Sequence, residues 1–172
     1  MDRPSQITMK GNPLTLTGNQ VKVGDKAPDF TVLDTDMKPV GLQNSKGKVR
    51  LISVAPSLDT PTCDTQTVTF NKKAAELGDD VALYSMSMDL PFAQKRYCAQ
   101  KSVDQLQTLS DYKDASFGEN YGLLIEELRL LGRAVVVVDK DDKISYMQIV
   151  PEVTEEPDYD SALNAVKEAL GK

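Results

Sequence analysis

Apolar residues along the chain follow two different repeats, and the changes between them predict the order of strands and helices. Near the N-terminus, two short alternating runs flank Gly11-Asn12-Pro13 and predict a β-hairpin within residues 1–18. Five later runs are rich in apolar and β-branched residues and predict strands. These predicted strands are Val49–Ala55, Val81–Met86, Leu106–Leu109, Ala134–Val138 and Ile144–Val150.

The segments between these runs carry helical spacing or helix-start signals. Predicted helices follow Cys63 to about Leu77, begin at Pro91, lie around Asp114–Tyr121, and begin near Pro157. Strands that alternate with helices predict a parallel sheet, and the last two strands add an antiparallel hairpin. The fold class is therefore α/β in one domain over residues 1–172. A mixed central sheet is flanked by helices, as in the thioredoxin-like fold, with an additional N-terminal β-hairpin.

The composition and net charge of the chain limit the kinds of molecule that it is expected to bind. The 172 residues are 40% hydrophobic and 27% charged, which is ordinary for a soluble domain. The net charge of −6 argues against nucleic acid or an anionic membrane as the main partner. The first residues lack the basic and then apolar pattern of a signal peptide, so a cytoplasmic location is expected. A lasting structural disulfide is unusual in that compartment.

Histidine is absent from the chain. Two cysteines without imidazole cannot complete a closed tetrahedral zinc site, and a Cys-His nucleophile pair is excluded. A catalytic cysteine here would have to be activated by a helix terminus, a hydroxyl group and a cation. No cofactor is expected.

The segment from Pro56 to Cys63 links the first strong strand to a helix. Thr60 suits the N-cap and Pro61 the first helical position, which places Cys63 in the first turn. If Asp59 caps instead, Cys63 still lies in that turn. Free backbone N–H groups and the helix dipole favour a thiolate there. The Thr60 hydroxyl is expected to reach the sulfur or an atom that attacks it.

Arg133 immediately precedes the most apolar strand. An antiparallel strand begins at the sheet edge where its parallel neighbours end, and that edge carries Cys63. A guanidinium at this position would hold a thiolate and orient an incoming oxygen. The alternative is a solvated arginine at the end of a strand.

Cys98 is the second cysteine, and it does not form a Cys-x-x-Cys motif with Cys63. It lies about two turns into its helix, roughly 10 Å along the axis. We therefore expect the two thiols to be too far apart to bond in the reduced fold, so that bonding requires local unwinding. The alternative is that Cys98 is a small buried hydrophobic residue.

Four stretches together resemble the peroxiredoxins, and most closely the bacterial thiol peroxidase group of atypical two-cysteine peroxiredoxins. The combination covers nearly the whole chain. It consists of Pro56-x-x-x-Thr60-x-x-Cys63, Asp89–Gln94 followed by Cys98, Arg133–Asp139, and Thr154–Tyr159. The segment from Gly122 to Gly132 departs from the family in being rich in leucine.

The resemblance implies a thiol-dependent peroxidase that reduces hydrogen peroxide and organic hydroperoxides to water or alcohol. By that likeness Cys63 is the peroxidatic cysteine, which forms a sulfenic acid, and Cys98 resolves it as an intrachain Cys63–Cys98 disulfide. Thr60 and Arg133 are active-site helpers, and Pro56 shields the sulfur from solvent. The family also implies a homodimer that thioredoxin reduces.

Three alternatives remain open from the residues. One is a thiol–disulfide oxidoreductase acting on proteins, which the absence of Cys-x-x-Cys disfavours. Another is a non-enzymatic thioredoxin-fold binding module that uses the apolar segment Leu123–Leu131 as its contact surface. The last is a secreted domain with a structural Cys63–Cys98 bridge, which the lack of a signal peptide opposes.

Overall fold

The chain folds around a seven-stranded mixed sheet, seen in a computed structural model that describes residues 4, 6–74 and 76–171. The strands are β1 Gln6–Met9, β2 Asn12–Thr17, β3 Val32–Leu33, β4 Pro39–Val40, β5 Val49–Val54, β6 Val81–Ser87, β7 Gln107–Ser110, β8 Leu124–Ile125, β9 Leu130–Leu131, β10 Ala134–Val138 and β11 Ile144–Ile149. The helices are α1 Pro61–Ala74, α2 Pro91–Lys101, α3 Ser116–Tyr121 and α4 Tyr159–Ala169, with a 3-10 turn at Leu42–Ser45.

The central sheet has the strand order β11-β10-β5-β6-β7-β3-β4. Strands β5, β6 and β7 are parallel, because α1 and α2 carry the chain back across the sheet between them. Strand β10 lies antiparallel to β5 on one side, and β3 lies antiparallel to β7 on the other. The predicted mixed α/β sheet is confirmed.

Both faces of this sheet are covered, which explains why β5 and β10 are buried along their whole length. Successive side chains of β10 point to opposite faces. Val136 packs with the N-terminal hairpin and α3 in one cluster, whereas Val135 and Val137 pack against α1, α2 and α4 in the other. Helices α1, α2 and α4 therefore cover one face of the central sheet, and the N-terminal hairpin and α3 cover the other.

The predicted N-terminal hairpin is present as β1 and β2, and it is part of a larger sheet. Residues of β2 pair with β8, and β8 pairs with β9, giving the order β1-β2-β8-β9. The apolar segment Leu123–Leu131 supplies β8 and β9, and Leu123, Ile125 and Leu131 are fully buried. Most apolar side chains of this segment are core, with Leu128 the exposed one among them, so the segment does not offer the apolar contact surface required by the binding-module alternative.

Two helix starts differ from the prediction. Helix α4 begins at Tyr159, because the Asp158 carboxylate caps it by accepting from the Ser161 backbone N–H at 3.0 Å. Helix α3 begins at Ser116, because Ala115 takes a left-handed conformation with φ of 51°. Within the described part of the chain, no helix is both long and apolar enough to cross a membrane.

Candidate active site

Cys63 lies in the first turn of α1, close to the end of β5. The helix begins at Pro61, and its first hydrogen bond runs from the Asp64 N–H to the Thr60 carbonyl at 3.0 Å. Cys63 is therefore the third helical residue, as the Thr60 and Pro61 pattern predicts. The cysteine has 0% of its surface exposed, so its sulfur is covered in this structure.

The sheet brings Arg133 to this cysteine. Ala134 at the start of β10 pairs with Val54 at the end of β5, so Arg133 lies beside the loop that leads to α1. The Arg133 Nη2 atom donates to the Cys63 Sγ atom at 3.2 Å. Arg133 is only 2% exposed, so the alternative of a solvated arginine at a strand end is wrong.

Neutral acceptors hold the rest of the guanidinium. Nε donates to the Val153 carbonyl at 2.7 Å, and Nη1 donates to Gln66 Oε1 at 2.9 Å. Among the residues that the structure describes, no carboxylate forms an ion pair with Arg133. A buried positive charge needs a nearby anion to offset its desolvation. The Cys63 thiol in contact with it can supply that anion as a thiolate.

Gln66 is a site residue that the sequence reasoning missed. Its Nε2 atom donates to Ser53 Oγ at 2.7 Å and to the Val54 carbonyl at 3.2 Å, which turns Oε1 toward Arg133. The signal that identifies it is helical spacing. Cys63, Gln66, Thr67 and Phe70 occupy positions i, i+3, i+4 and i+7 of α1, and all are fully buried. A glutamine on the buried face of a helix needs polar partners, and here Arg133 is one of them.

Thr60 bonds through its hydroxyl to the loop that precedes α1. Its side chain is exposed, and Oγ1 donates to the Ser57 carbonyl at 3.1 Å. In this structure the hydroxyl therefore braces the loop instead of the sulfur, and its contact with an attacking atom stays a prediction. Pro56 is buried at the start of the same loop.

A carboxylate from the neighbouring strand end anchors that loop. Asp89 accepts from Ser57 Oγ at 2.7 Å and from the Leu58 N–H at 2.8 Å. It also accepts from Ser87 Oγ at 2.8 Å. Since Asp89 lies just before α2, one side chain joins the loop that precedes Cys63 to the helix that carries Cys98.

Cys98 is half-buried on α2, and its sulfur lies 3.6 Å from Thr108 Oγ1 on β7. Burial raises the pKa of the Cys98 thiol, although the contact with Thr108 opposes this effect. Both cysteines are free thiols with separate partners. The helices are tied together beside them, because the Tyr97 hydroxyl donates to Asp64 Oδ1 at 2.7 Å and Lys101 Nζ lies 3.3 Å from Asp64 Oδ2.

Comparison with known proteins identifies the family. The sequence profile of the redoxin family matches residues 22–163. The thiol peroxidase of Halalkalibacterium halodurans is 58% identical over 166 residues, which span 96% of this chain and 99% of that protein. The thiol peroxidase of Bacillus subtilis is 52% identical over 163 residues, 95% of this chain and 97% of that protein. The chain belongs to the thiol peroxidase group of the redoxin family.

A solved structure agrees with this assignment. The crystal structure of a peroxiredoxin-like protein from Aquifex aeolicus superposes with a TM-score of 0.91 at 42% sequence identity, covering 96% of this chain and 98% of that one. The predicted resemblance and the thioredoxin-like fold of this thiol peroxidase are confirmed. The reaction class is that of a thiol-dependent peroxidase, an oxidoreductase.

Proposed function

We propose that Cys63 is the peroxidatic cysteine of this thiol peroxidase and that hydroperoxides are its substrates. The observation that carries the proposal is the 3.2 Å contact between Cys63 Sγ and Arg133 Nη2, in a buried site where the described residues give Arg133 no carboxylate partner. A permanently charged guanidinium favours the thiolate, which is the nucleophilic form of cysteine. The first-turn N–H groups of α1 act in the same direction.

In the first step the Cys63 thiolate attacks the nearer oxygen of the peroxide. A sulfur–oxygen bond forms, the O–O bond breaks, and the departing hydroxide or alkoxide takes a proton to become water or alcohol. Negative charge moves from sulfur to the departing oxygen during this step. Fixed donors at the helix start and on Arg133 stabilise it without reorganising.

Thr60 and Pro56 have supporting roles in this proposal. Since the Cys63 sulfur is covered, the residues around it have to shift before a peroxide can make contact. The Thr60 hydroxyl then exchanges the Ser57 carbonyl for the peroxide, because a hydroxyl can both donate and accept. Buried Pro56 keeps bulk water from the sulfur.

Cys98 completes the cycle as the resolving cysteine. The Cys63 sulfenic acid condenses with the Cys98 thiol, which forms an intrachain disulfide and releases water. The contacts of Asp64 with Tyr97 and Lys101 hold α1 against α2, so they have to break for the sulfurs to meet. Thioredoxin then reduces the disulfide by dithiol exchange. We further propose that the chain is one domain and acts as a homodimer without a cofactor.

The test is rapid-mixing measurement of peroxide consumption, with and without thioredoxin, for the wild type and two variants. We expect Cys63→Ser to abolish peroxide consumption, because serine is not ionised at neutral pH. Cys98→Ser should consume about one equivalent of peroxide and then stop cycling with thioredoxin.

Substantial turnover by Cys63→Ser would refute the assignment of the nucleophile. Normal cycling by Cys98→Ser would refute the resolving role alone. If the wild type reduced the disulfides of insulin faster than it consumed hydroperoxide, the protein-directed oxidoreductase alternative would be favoured. Hydrogen peroxide and a bulkier organic hydroperoxide should be compared in the same assay.

A further inference from the structure

The N-terminal hairpin contacts the loop that follows β11. The Thr8 N–H donates to the Pro151 carbonyl, and the Val153 N–H donates to the Thr8 carbonyl, each at 2.8 Å. These two backbone bonds attach residues 151–153 to β1 in a short parallel bridge. A segment from one end of the chain thus fixes a loop near the other end.

The same loop holds Arg133. The Val153 carbonyl accepts from Arg133 Nε at 2.7 Å, and the Val150 N–H donates to the Arg133 carbonyl at 3.0 Å. The following residue also reaches the cysteine helix, since Thr62 Oγ1 donates to the Thr154 carbonyl at 2.9 Å. The position of this loop therefore fixes one of the three groups that orient the guanidinium.

Glu152 fastens the loop to the hairpin. One carboxylate oxygen accepts from Thr8 Oγ1 at 3.0 Å and from the Gly11 N–H at 2.9 Å. The other accepts from Thr154 Oγ1 at 2.6 Å and from the Thr154 N–H at 2.9 Å. These donors, with the Thr154 side chain foremost, lower the pKa of Glu152 to about 2. The carboxylate is thus an ionised clamp between the hairpin and the loop.

The hairpin also packs on the other side of Arg133. A side chain at Gly132 would lie 3.1 Å from Leu16 Cδ2 and 3.7 Å from Ile7 Cδ1, which shows how closely β1 and β2 cover this position. Ile7 and Val153 are both almost fully buried in the same hydrophobic cluster. The hairpin therefore contacts both Gly132, which precedes Arg133, and the loop whose Val153 carbonyl accepts from Arg133 Nε.

We propose that Glu152 is a positioning residue for peroxide reduction, which clamps the N-terminal hairpin to residues 151–154 and so fixes the Val153 carbonyl that orients Arg133. This inference rests on the proposed role of Arg133 in the reaction. Glu152 itself contacts neither the sulfur nor the substrate. Loosening the clamp lets the guanidinium turn away from the reacting oxygen, and small losses of alignment are costly in rate.

The test is a double-mutant cycle on the second-order rate of Cys63 oxidation by hydrogen peroxide, measured in single-turnover mixing experiments. The first variant is Glu152→Gln. It places an amide N–H₂ group, which cannot accept a hydrogen bond, opposite N–H and O–H groups that donate to the carboxylate in the wild type. The second is Arg133→Met, which keeps a long side chain and removes the charge. We expect Glu152→Gln to slow oxidation about tenfold in the wild-type background and to have no further effect in Arg133→Met.

Glu127→Gln is the matched control. Both Glu127 oxygens accept from the Thr15 N–H at 2.8 Å, so this carboxylate anchors the hairpin through β2 instead of through residues 151–154. Its rate should stay within twofold of the wild type. Thr8→Val, which removes only the hydroxyl bond to Glu152, is a milder variant in case Glu152→Gln does not fold. It should slow oxidation in the same direction.

A spectroscopic measurement separates positioning from general loss of stability. The Nε–H proton of Arg133, followed by NMR, should exchange faster with solvent in Glu152→Gln and keep its wild-type exchange rate in Glu127→Gln. Additive effects in the cycle, or a wild-type oxidation rate in both Glu152→Gln and Thr8→Val, would overturn this inference while leaving the proposed function intact. A wild-type rate in Arg133→Met would instead refute the role of Arg133 in the proposed function.

Discussion

Asp111 should make the protein less stable as the pH rises through the mildly acidic range. This carboxyl group follows β7 and is only 1% exposed, where it accepts from the Phe117 N–H at 2.9 Å and from the Gly118 N–H at 2.8 Å. Burial raises the pKa of Asp111 to about 6, although both hydrogen bonds oppose this effect. Glu119 raises the pKa further, and Arg129 lowers it.

The magnitude follows from the separation of the two pKa values. In the unfolded chain Asp111 titrates near its ordinary value of 3.8, and in the folded chain near 6, a difference equivalent to about 3 kcal/mol. Between these pH values the folded state binds more protons than the unfolded state. The free energy of unfolding therefore falls as the pH rises through this window, opposite to the trend for a carboxylate that an ion pair stabilises.

The assay is urea denaturation of the wild type and Asp111→Asn at a series of pH values from about 3.5 to 7.5, a range that brackets the folded and unfolded pKa values. The amide loses one acceptor, so the variant carries a constant offset that does not depend on pH. The difference in free energy of unfolding between the two proteins should shift by up to about 3 kcal/mol in favour of the variant as the pH rises. Asp79 is exposed, so Asp79→Asn serves as the control for the pH dependence that arises from the other titratable groups. Parallel curves for the wild type and Asp111→Asn would refute the reasoning.

Two further variants test how the cysteine-bearing segments are held. Asp64→Asn weakens the contacts with Tyr97 and Lys101, so the Cys63–Cys98 disulfide should form several times faster after Cys63 is oxidised. Quenched-flow mass analysis measures that rate, and an unchanged rate would show that these contacts do not limit disulfide formation. Asp89→Asn replaces one of the two carboxylate oxygens that accept from Ser57, Leu58 and Ser87. The free energy of unfolding, measured in urea, should fall by about 1–3 kcal/mol. Wild-type stability would contradict the anchoring role of Asp89.

The placement of Cys63 and Arg133 could be predicted because it depends on local signals and on sheet direction. Thr60 and Pro61 mark a helix start, and α1 begins where they predict. Strand β10 runs antiparallel to β5, as expected for a mixed sheet, and that direction sends Arg133 to the sheet edge that carries the cysteine. Neither step requires knowledge of side-chain contacts.

The partners that fix these two residues could not be predicted in the same way. The Val153 carbonyl is a backbone group, so the identity of Val153 carries no signal that it accepts from Arg133. The clamp at Glu152 joins positions near opposite ends of the chain, and nothing in either local pattern pairs them. The bond that the Thr60 hydroxyl makes in this structure could not be predicted for a related reason. A hydroxyl near a helix start has several acceptors within reach, and the loop carbonyl of Ser57 is the one that it uses.

A second buried arginine shows why the surroundings of Arg133 matter more than its burial. Arg50, on β5, is fully buried and forms an ion pair with Asp142 at 2.7 Å, while Ser45 Oγ and two backbone carbonyls also accept from its guanidinium. Its charge is offset within the fold, which is the arrangement expected of a structural residue. Arg133 is as deeply placed, but its described partners are an amide oxygen, a carbonyl and a thiol. Of these partners the Cys63 sulfur is the one that can carry a negative charge, which supports its proposed role as the peroxidatic nucleophile. For that reason we propose that this guanidinium serves peroxide chemistry, since none of its described partners is a carboxylate.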